Sequence, residues 1–401
     1  MTPKRLILAL LSIALFFIVI VFGTLYFLMA TGRGLGGPTH VDAPPAPTTI
    51  PLTDFTAANG FYAPPGFTVQ VFAEGMDTPR FMTIGPDGAL YVAEMGAGRV
   101  LRLSDADADG TADALQVVAE GLYRPNSLAF APDGSLYVGE VERVVRLRDP
   151  DGDGLFQQQE TVISGIPKEG HFTRTVLISP DGRFLYLSVG SSCNVCEEKD
   201  ERRAAILRYN LDGSGEEIYT RGLRNAVGIA FRPGTDELWA TNNGRDWLGD
   251  DLPPDTVQRV RQGDDFGWPR CHAGRIEDPD FGEPGSCQGV AVPEVELQAH
   301  SAPLGMAFYD GAAFPETYRG DLFVAFHGSW NRQEPTGYKI VRIPFDENGP
   351  SGGAQDFIWG WLTADGEKRG RPVDVVVAPD GSLFISDDAA GVVYRVTYHA
   401  P

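Results

Sequence analysis

Basic residues are scarce in this chain. Its 401 residues hold 33 Lys and Arg against 54 Asp and Glu, a formal charge of −21. A surface this acidic repels phosphate backbones and anionic lipid, which excludes nucleic-acid binding and flat adsorption on a membrane. Cysteine is also sparse, with four in all. None stands directly after the N-terminal apolar stretch, so a lipid-modified N-terminus has no attachment point. No C-x-x-C-H for covalent haem exists, because Cys196 precedes Glu197. What is abundant is the turn-former: 48 Gly and 30 Pro. With 43% hydrophobic and 10% aromatic residues, this composition excludes wholesale disorder and points to many short strands joined by turns.

The N-terminus stands apart. Lys4 and Arg5 precede an uncharged apolar run from Leu6 to Ala30. At ~1.5 Å per residue such a run spans a bilayer core, and it exceeds the apolar core of an ordinary cleaved signal. Residues 1–30 are therefore expected to be a signal anchor, a transmembrane helix with its basic end cytoplasmic. Residues 31–60, rich in Gly, Pro and Thr, read as a tether. Residues 61–401 are expected to form the exported globular domain, periplasmic or otherwise extracytoplasmic. In that oxidising compartment Cys193–Cys196 and Cys271–Cys287 are expected as local disulfides; the wide spacing of the second pair disfavours zinc.

A repeat organises the rest. G-P-D-G-A-L-Y-V (85–92), A-P-D-G-S-L-Y-V (131–138), S-P-D-G-R-F-L-Y-L (179–187), R-P-G-T-D-E-L-W (232–239), P-E-T-Y-R-G-D-L-F (315–323) and P-D-G-S-L-F-I (379–385) each place a turn before a short apolar strand with a central aromatic. Gly supplies the positive φ of the turn, and L-Y-V suits a strand buried on both faces. Apolar strands precede the copies at 81–84, 127–130, 175–178, 227–231 and 373–377, and outer strands follow at 98–103 and 141–147. Six four-stranded units make an all-β fold, a six-bladed β-propeller carrying the N-terminal transmembrane helix. The spacing widens over 242–300, which reads as a functional insertion. Arg80, Arg124, Arg174, Arg224 and Arg371 stand just before the innermost strands and should ring one channel mouth, either facing a ligand or pairing with Asp on a neighbouring blade.

Four segments gather at that mouth: G-H-F-T-R-T (170–175), G-L-R-N-A-V-G (222–228), N-N-G-R-D-W-L-G-D-D-L-P-P-D (242–255) and K-R-G-R-P-V-D (368–374). One His among several Arg suits proton abstraction beside an anionic ligand, although His171 also fits a packing or capping role. These segments, together with G-D-D-F-G-W-P (263–269) and H-G-S-W-N-R (327–332), resemble the pyrroloquinoline-quinone-dependent soluble glucose and aldose dehydrogenases, and within them the sorbosone dehydrogenase branch. The resemblance covers roughly residues 61–398.

The resemblance implies an oxidoreductase that passes a hydride from an aldose, or a related polyol or aldehyde, to pyrroloquinoline quinone (PQQ). His171 would be the general base and Arg224 would stabilise charge on the quinone oxygen. Arg174 and Asn225 would contact the cofactor, and Arg369 and Arg371 would hold its carboxylates. Ca²⁺ would bind backbone carbonyls at Gly244 and Arg245. H-G-S-W-N-R offers no Lys for the cofactor, so Arg332 is the candidate replacement. A Cys pair follows Ser191–Ser192, so sugar specificity does not carry over. His300 is a further candidate. A separate partner would accept the electrons.

Two Asp-rich loops form a different kind of candidate. Asp105, Asp107 and Asp109, and Asp149, Asp151 and Asp153 with Glu160, occupy calcium-loop positions, but without flanking helices, so each is either a structural Ca²⁺ site or an acidic hairpin. Two rival classes remain: a metal-dependent lactonase-type propeller hydrolase, which needs carboxylates converging in the pore, and a non-enzymatic binding propeller of the NHL type.

Overall fold

The computed structural model describes residues 56–400. The expected transmembrane helix and most of the tether lie outside the described residues; no helix among the latter is long and apolar enough to cross a membrane. Six sheets form the blades, each an antiparallel meander. Blade 1 runs from Pro79–Ile84 to Ala114–Ala119, blade 2 from Ser127–Phe130 to Gln158–Ser164, and blade 3 from Arg174–Ile178 to Glu217–Arg221. Blade 4 runs from Ile229–Phe231 to Val295–Leu297 and blade 5 from Pro303–Phe308 to Gln355–Trp359. Blade 6 holds Pro372–Val377, Leu383–Asp387 and Val392–Tyr398, and Phe67–Glu74 completes it as the outer strand. Each innermost strand contacts the innermost strands of its two neighbours, so the ring is closed.

The repeat maps onto the second strand of every blade. Its central aromatics, Tyr91, Tyr137, Tyr186, Trp239, Phe323 and Phe384, are all buried. Leu90–Glu94 and Leu322–Phe326 are buried at every position, as a strand sandwiched between two blades requires, whereas Gln158–Ser164 at the outer edge is mostly exposed. The fifth copy departs from the pattern. Its P-E-T-Y segment is a short 3₁₀ turn at Glu316–Tyr318, and the innermost strand of blade 5 lies earlier, at Pro303–Phe308.

Two other boundaries differ from the sequence reading. The expected domain start at residue 61 falls inside a hairpin, Thr56–Ala58 with Phe61–Ala63, which extends blade 5. Its turn is Asn59-Gly60, both at positive φ, the dipeptide that two-residue hairpins favour. The insertion at 242–300 contains the third and fourth strands of blade 4, Asp255–Val260 and Val295–Leu297. The added chain is thus two pieces, 243–254 and 261–294, the latter stapled by Cys271–Cys287. Both expected disulfides are formed.

Strand polarity positions the site. A meander that starts at one mouth returns there after its second strand and again after its fourth. All turns between strands two and three, and all links between blades, therefore lie at the mouth where the innermost strands begin. The P-D-G turns and both Asp-rich loops lie at the opposite end. A cavity of about 730 Å³ opens there between blades 1 and 2, lined by Tyr91, Arg102, Phe130 and Asp149.

Phe67 anchors the closing strand. Its ring meets Phe314 at 4.7 Å, Phe357 at 5.0 Å and Tyr318 at 5.1 Å, all edge-on, and it is 3% exposed. Phe67→Ala is expected to destabilise the propeller by about 3–5 kcal/mol in urea unfolding. The adjacent, exposed Thr68→Ala should cost well under about 1 kcal/mol.

Candidate functional site

His171 sits in the link from blade 2 to blade 3. Its Nδ1 lies 2.9 Å from the Ser191 carbonyl and 3.0 Å from Ser191 Oγ. A carbonyl only accepts, so Nδ1 carries the proton and the Nε2 lone pair is left to accept. Burial and the nearby Arg224, Arg203 and Arg174 guanidiniums push the imidazole pKa down to about 3. His171 is therefore neutral at physiological pH. Gly190 permits this packing: a Cβ there would come within 2.3 Å of Asn225 Oδ1 and 2.7 Å of His171 Cβ.

Arg224 is the hub of the mouth. Its Nε donates to the Asn194 carbonyl (2.9 Å), Nη1 to the Gly244 carbonyl (2.7 Å), and Nη2 to Asn194 Oδ1 (3.0 Å) and Asp246 Oδ2 (2.9 Å). Burial lowers its pKa, and Asp246 opposes that. The other carboxylate oxygen of Asp246 accepts from Asn331 Nδ2 at 2.9 Å. His300 Nε2 is 2.9 Å from the Gly249 carbonyl, which sets its tautomer, and Nδ1 faces Asn331 at 3.4 Å. Asn225 follows Arg224, and its buried amide oxygen has no partner among the described residues; the same holds for Asn331.

The remaining candidates divide. Arg174 is fully buried behind His171, where Nη1 donates to the carbonyls of His171 (2.8 Å) and Thr173 (2.6 Å) and Nη2 to that of Pro167. Burial, then Arg203, brings its pKa down to about 9. It shapes the His171 loop and does not face the mouth. Arg371 donates to the carbonyls of His327 (3.2 Å) and Gly328 (3.0 Å). Arg369, two residues away, lies on the exposed outer rim near Glu367, so the structure separates this pair. Arg332 fastens the 243–254 piece through the Asp250 and Ala299 carbonyls and Asp251. Arg80 binds Asp388 of blade 6, the neighbouring-blade pairing that the sequence left open. Arg124 lies over the Phe172 ring at 4.2 Å.

The carbonyl of Gly244 is occupied by Arg224, and the Arg245 side chain is turned away to buried Asp278, with Asp280 at 3.1 Å. A guanidinium on the donor oxygen repels a second cation, so this arrangement does not fit Ca²⁺ at Gly244. At the far end of the propeller, carboxylate oxygens of Asp105, Asp107 and Asp109 lie within 4.8 Å of one another, as do those of Asp149, Asp151 and Asp153. Glu160 is not with them. It stands in a strand opposite Arg146 and pairs with it at 2.5 Å. A calcium loop brings its twelfth residue back with a helix, and here the chain continues extended.

Sequence reasoning missed Asn194, Asp246 and Asn331, which bind Arg224 or one another, and the partly buried dyad His327–Asp388 (2.9 Å). It also missed Trp247 and Trp330. They are 40% and 63% exposed, meet edge-to-face at 5.1 Å, and flank Asp246 and Asn331. Trp247 has φ 72°, a strained value for a bulky residue.

Fold and site together define a six-bladed propeller with a histidine, a buried arginine and unpartnered amides at one channel mouth. The chain belongs to the family described as "Domain of unknown function (DUF7133)", whose model matches residues 56–395. An uncharacterized protein of Borreliella burgdorferi is 37% identical, over 57% of this chain and 61% of its own. The pyrroloquinoline quinone-dependent pyranose dehydrogenase of Coprinopsis cinerea is 28% identical, over 89% of this chain and 56% of its own. The holo form of that organism's pyranose dehydrogenase PQQ domain has a TM-score of 0.72 at 22% identity, covering 88% of this chain and 99% of its own. The chain thus spans about three fifths of the length of these curated relatives. Its characterised relatives and structural neighbours are PQQ-dependent pyranose and aldose sugar dehydrogenases, the wider family that the motifs resemble.

Asp374, in the channel wall, accepts from the Met82 amide at 2.8 Å, and burial pushes its pKa up to about 7. The folded value lies above the unfolded one, so this group's stabilising share is intact below about pH 4 and lost as pH rises through 7. Asp374→Asn keeps an acceptor and removes the charge. It is expected to raise stability at pH 8 by on the order of 2 kcal/mol, and far less at pH 5, in urea titrations at both values.

Proposed function

We propose that the protein is a quinoprotein dehydrogenase that oxidises an aldose or a related polyol or aldehyde, with PQQ as cofactor. The observation that carries this reading is the neutral His171, with Nδ1 committed to a carbonyl and Nε2 open beside Arg224. The residues fit the cofactor: Asn225 and Asn331 hold buried amide oxygens without partners, and Arg224 and Arg371 bring positive charge to one mouth of an acidic protein. When bound, PQQ supplies the electrophile that takes a hydride from the sugar carbon. His171 Nε2 accepts the hydroxyl proton of the same sugar. Arg224, held by Asn194, Asn243, Gly244 and Asp246, would act on developing negative charge through the field of its fixed positive charge. Asn225 and Arg371 would hold the cofactor.

Trp247 and Trp330 offer exposed aromatic faces beside the site, suited to the C–H face of a pyranose. The sorbosone branch is the narrower reading we favour, and the electrons pass to a separate acceptor. Ca²⁺ enters only as a structural ion at the Asp-rich loops, and no step is assigned to it. A metal-dependent hydrolase is disfavoured because Asp246 and Asp388 are each held by an arginine. We further propose that residues 1–30 anchor the chain in the inner membrane with the propeller outside the cytoplasm; the two disulfides support an oxidising compartment.

The test is dye reduction by the purified protein supplied with PQQ and a panel of aldoses. Failure to bind PQQ at micromolar concentration would overturn the proposal. His171→Ala is expected to lose about 10²–10⁴-fold in kcat with cofactor binding retained. Because His171 is held near 3, the acid limb of kcat/KM should fall below pH 5, not near the ordinary histidine value. Trp330→Ala should raise KM about 10-fold while kcat changes little, measured by steady-state kinetics.

A further inference from the structure

One short turn touches both predicted catalytic side chains from behind. Ser191 is fully buried; its amide donates to the Arg224 carbonyl (2.8 Å), and its carbonyl accepts from the His171 amide (3.0 Å) and from Nδ1. Ser191 Oγ donates to the Cys193 carbonyl at 2.6 Å. Three residues after Ser191, Asn194 presents its carbonyl to Arg224 Nε and its Oδ1 to Arg224 Nη2 and to the Asp246 amide (2.7 Å), while its Nδ2 donates to the Asp246 carbonyl (3.0 Å). The Cys193–Cys196 disulfide closes the turn around Asn194.

We propose that this disulfide-closed turn, residues 191–196, is a positioning element that fixes the His171 imidazole relative to the Arg224 guanidinium, with Asn194 as the positioning residue for Arg224. The inference that these groups serve catalysis rests on the function proposed above; the geometry of the turn does not. Asn194 binds Arg224 through its backbone carbonyl and its Oδ1, and the Asp246 backbone through Oδ1 and Nδ2, so one residue holds both members of the ion pair. Bonds to a charged group contribute more than neutral ones, and a misplacement of ~1 Å at a catalytic group costs on the order of 10²-fold in rate. The disulfide has little else to do. It joins residues three apart, whereas Cys271–Cys287 joins residues sixteen apart, and the entropy removed from the unfolded chain grows with loop length. The first bridge therefore matters chiefly for local geometry and the second more for stability.

The groups that depress the His171 pKa besides burial are Arg224, Arg203 and Arg174. Releasing Arg224 from Asn194 weakens the first of these, and opening the turn also admits water to the imidazole. The test is an NMR titration of the histidine side chains in cofactor-free protein. In Asn194→Ala, and in the double variant Cys193→Ser/Cys196→Ser, the His171 midpoint should rise by more than one unit. In Cys271→Ser/Cys287→Ser it should stay at the wild-type value while the melting temperature falls further. If a variant does not fold, the wild-type protein treated with a small dithiol should show the same rise, reversed on reoxidation. With PQQ and sugar present, Asn194→Ala should lower kcat about 10²-fold at nearly unchanged KM. An unchanged His171 titration in the turn variants and in the reduced wild type would overturn the proposal. Absence of any sugar oxidation by the wild type, with the titration shift intact, would instead overturn the proposed function and leave the positioning role standing.

Discussion

The site depends on the polarity that an antiparallel meander imposes on every blade. Each innermost strand packs against those of its two neighbours, and all six start from the same mouth. Once that is fixed, each second-to-third turn and each inter-blade link must emerge at the same end. Residues far apart in sequence, His171, Asn194, Arg224, Asp246, His300, Asn331 and Arg371, thereby share one mouth. The same rule sends the Asp-rich loops to the opposite end, so neither can take part in chemistry beside His171.

At the mouth, the governing problem is the burial of guanidiniums. Arg174, Arg224 and Arg80 are nearly inaccessible, and each needs donors satisfied without water. The three solve this differently. Arg174 uses only backbone carbonyls of the His171 loop, and with no carboxylate its pKa falls. Arg80 takes Asp388 and the Asn126 side chain. Arg224 uses carbonyls of two loops, one amide oxygen and one carboxylate, so it is held from several directions yet keeps its charge beside a neutral imidazole. The guanidinium and the imidazole differ in charge state because burial and the neighbouring arginines both favour the neutral histidine.

Much of this was legible in sequence. The turn-and-strand repeat marked the second strand of all six blades and the first strand of five, the central aromatics marked the buried strand, and the local spacing of the cysteines marked both disulfides. The legible features are those a short stretch of chain decides for itself. Residue roles that depend on two loops meeting were not legible. Asn194, Asp246 and Asn331 come from three different turns and have no common spacing. Arg332 sits in a conspicuous motif, but Asp250 and Ala299 claim it. Arg369 and Arg371 look equivalent in R-G-R, yet Arg369 is exposed beside Glu367 while Arg371 reaches the carbonyls of His327 and Gly328 in another loop. Glu160 satisfies a calcium-loop count, and the count fails because a strand, not a helix, follows the loop.

The acidity of the chain acquires a definite meaning from this arrangement. Carboxylates at the far end are either left to solvent or tied to arginines there, as Asp105 is to Arg395 and Glu160 to Arg146. At the mouth the balance reverses: Asp246 and Asp388 are each matched by an arginine, and Arg371 is spent on carbonyls and not on a carboxylate. Neutralising Arg371 with a protein carboxylate would remove the local positive potential. Leaving it to carbonyl dipoles preserves that potential in a site partly shielded from water, where a charge acts with less screening than on the surface. An anionic ligand is thereby repelled by most of this protein and attracted at one place.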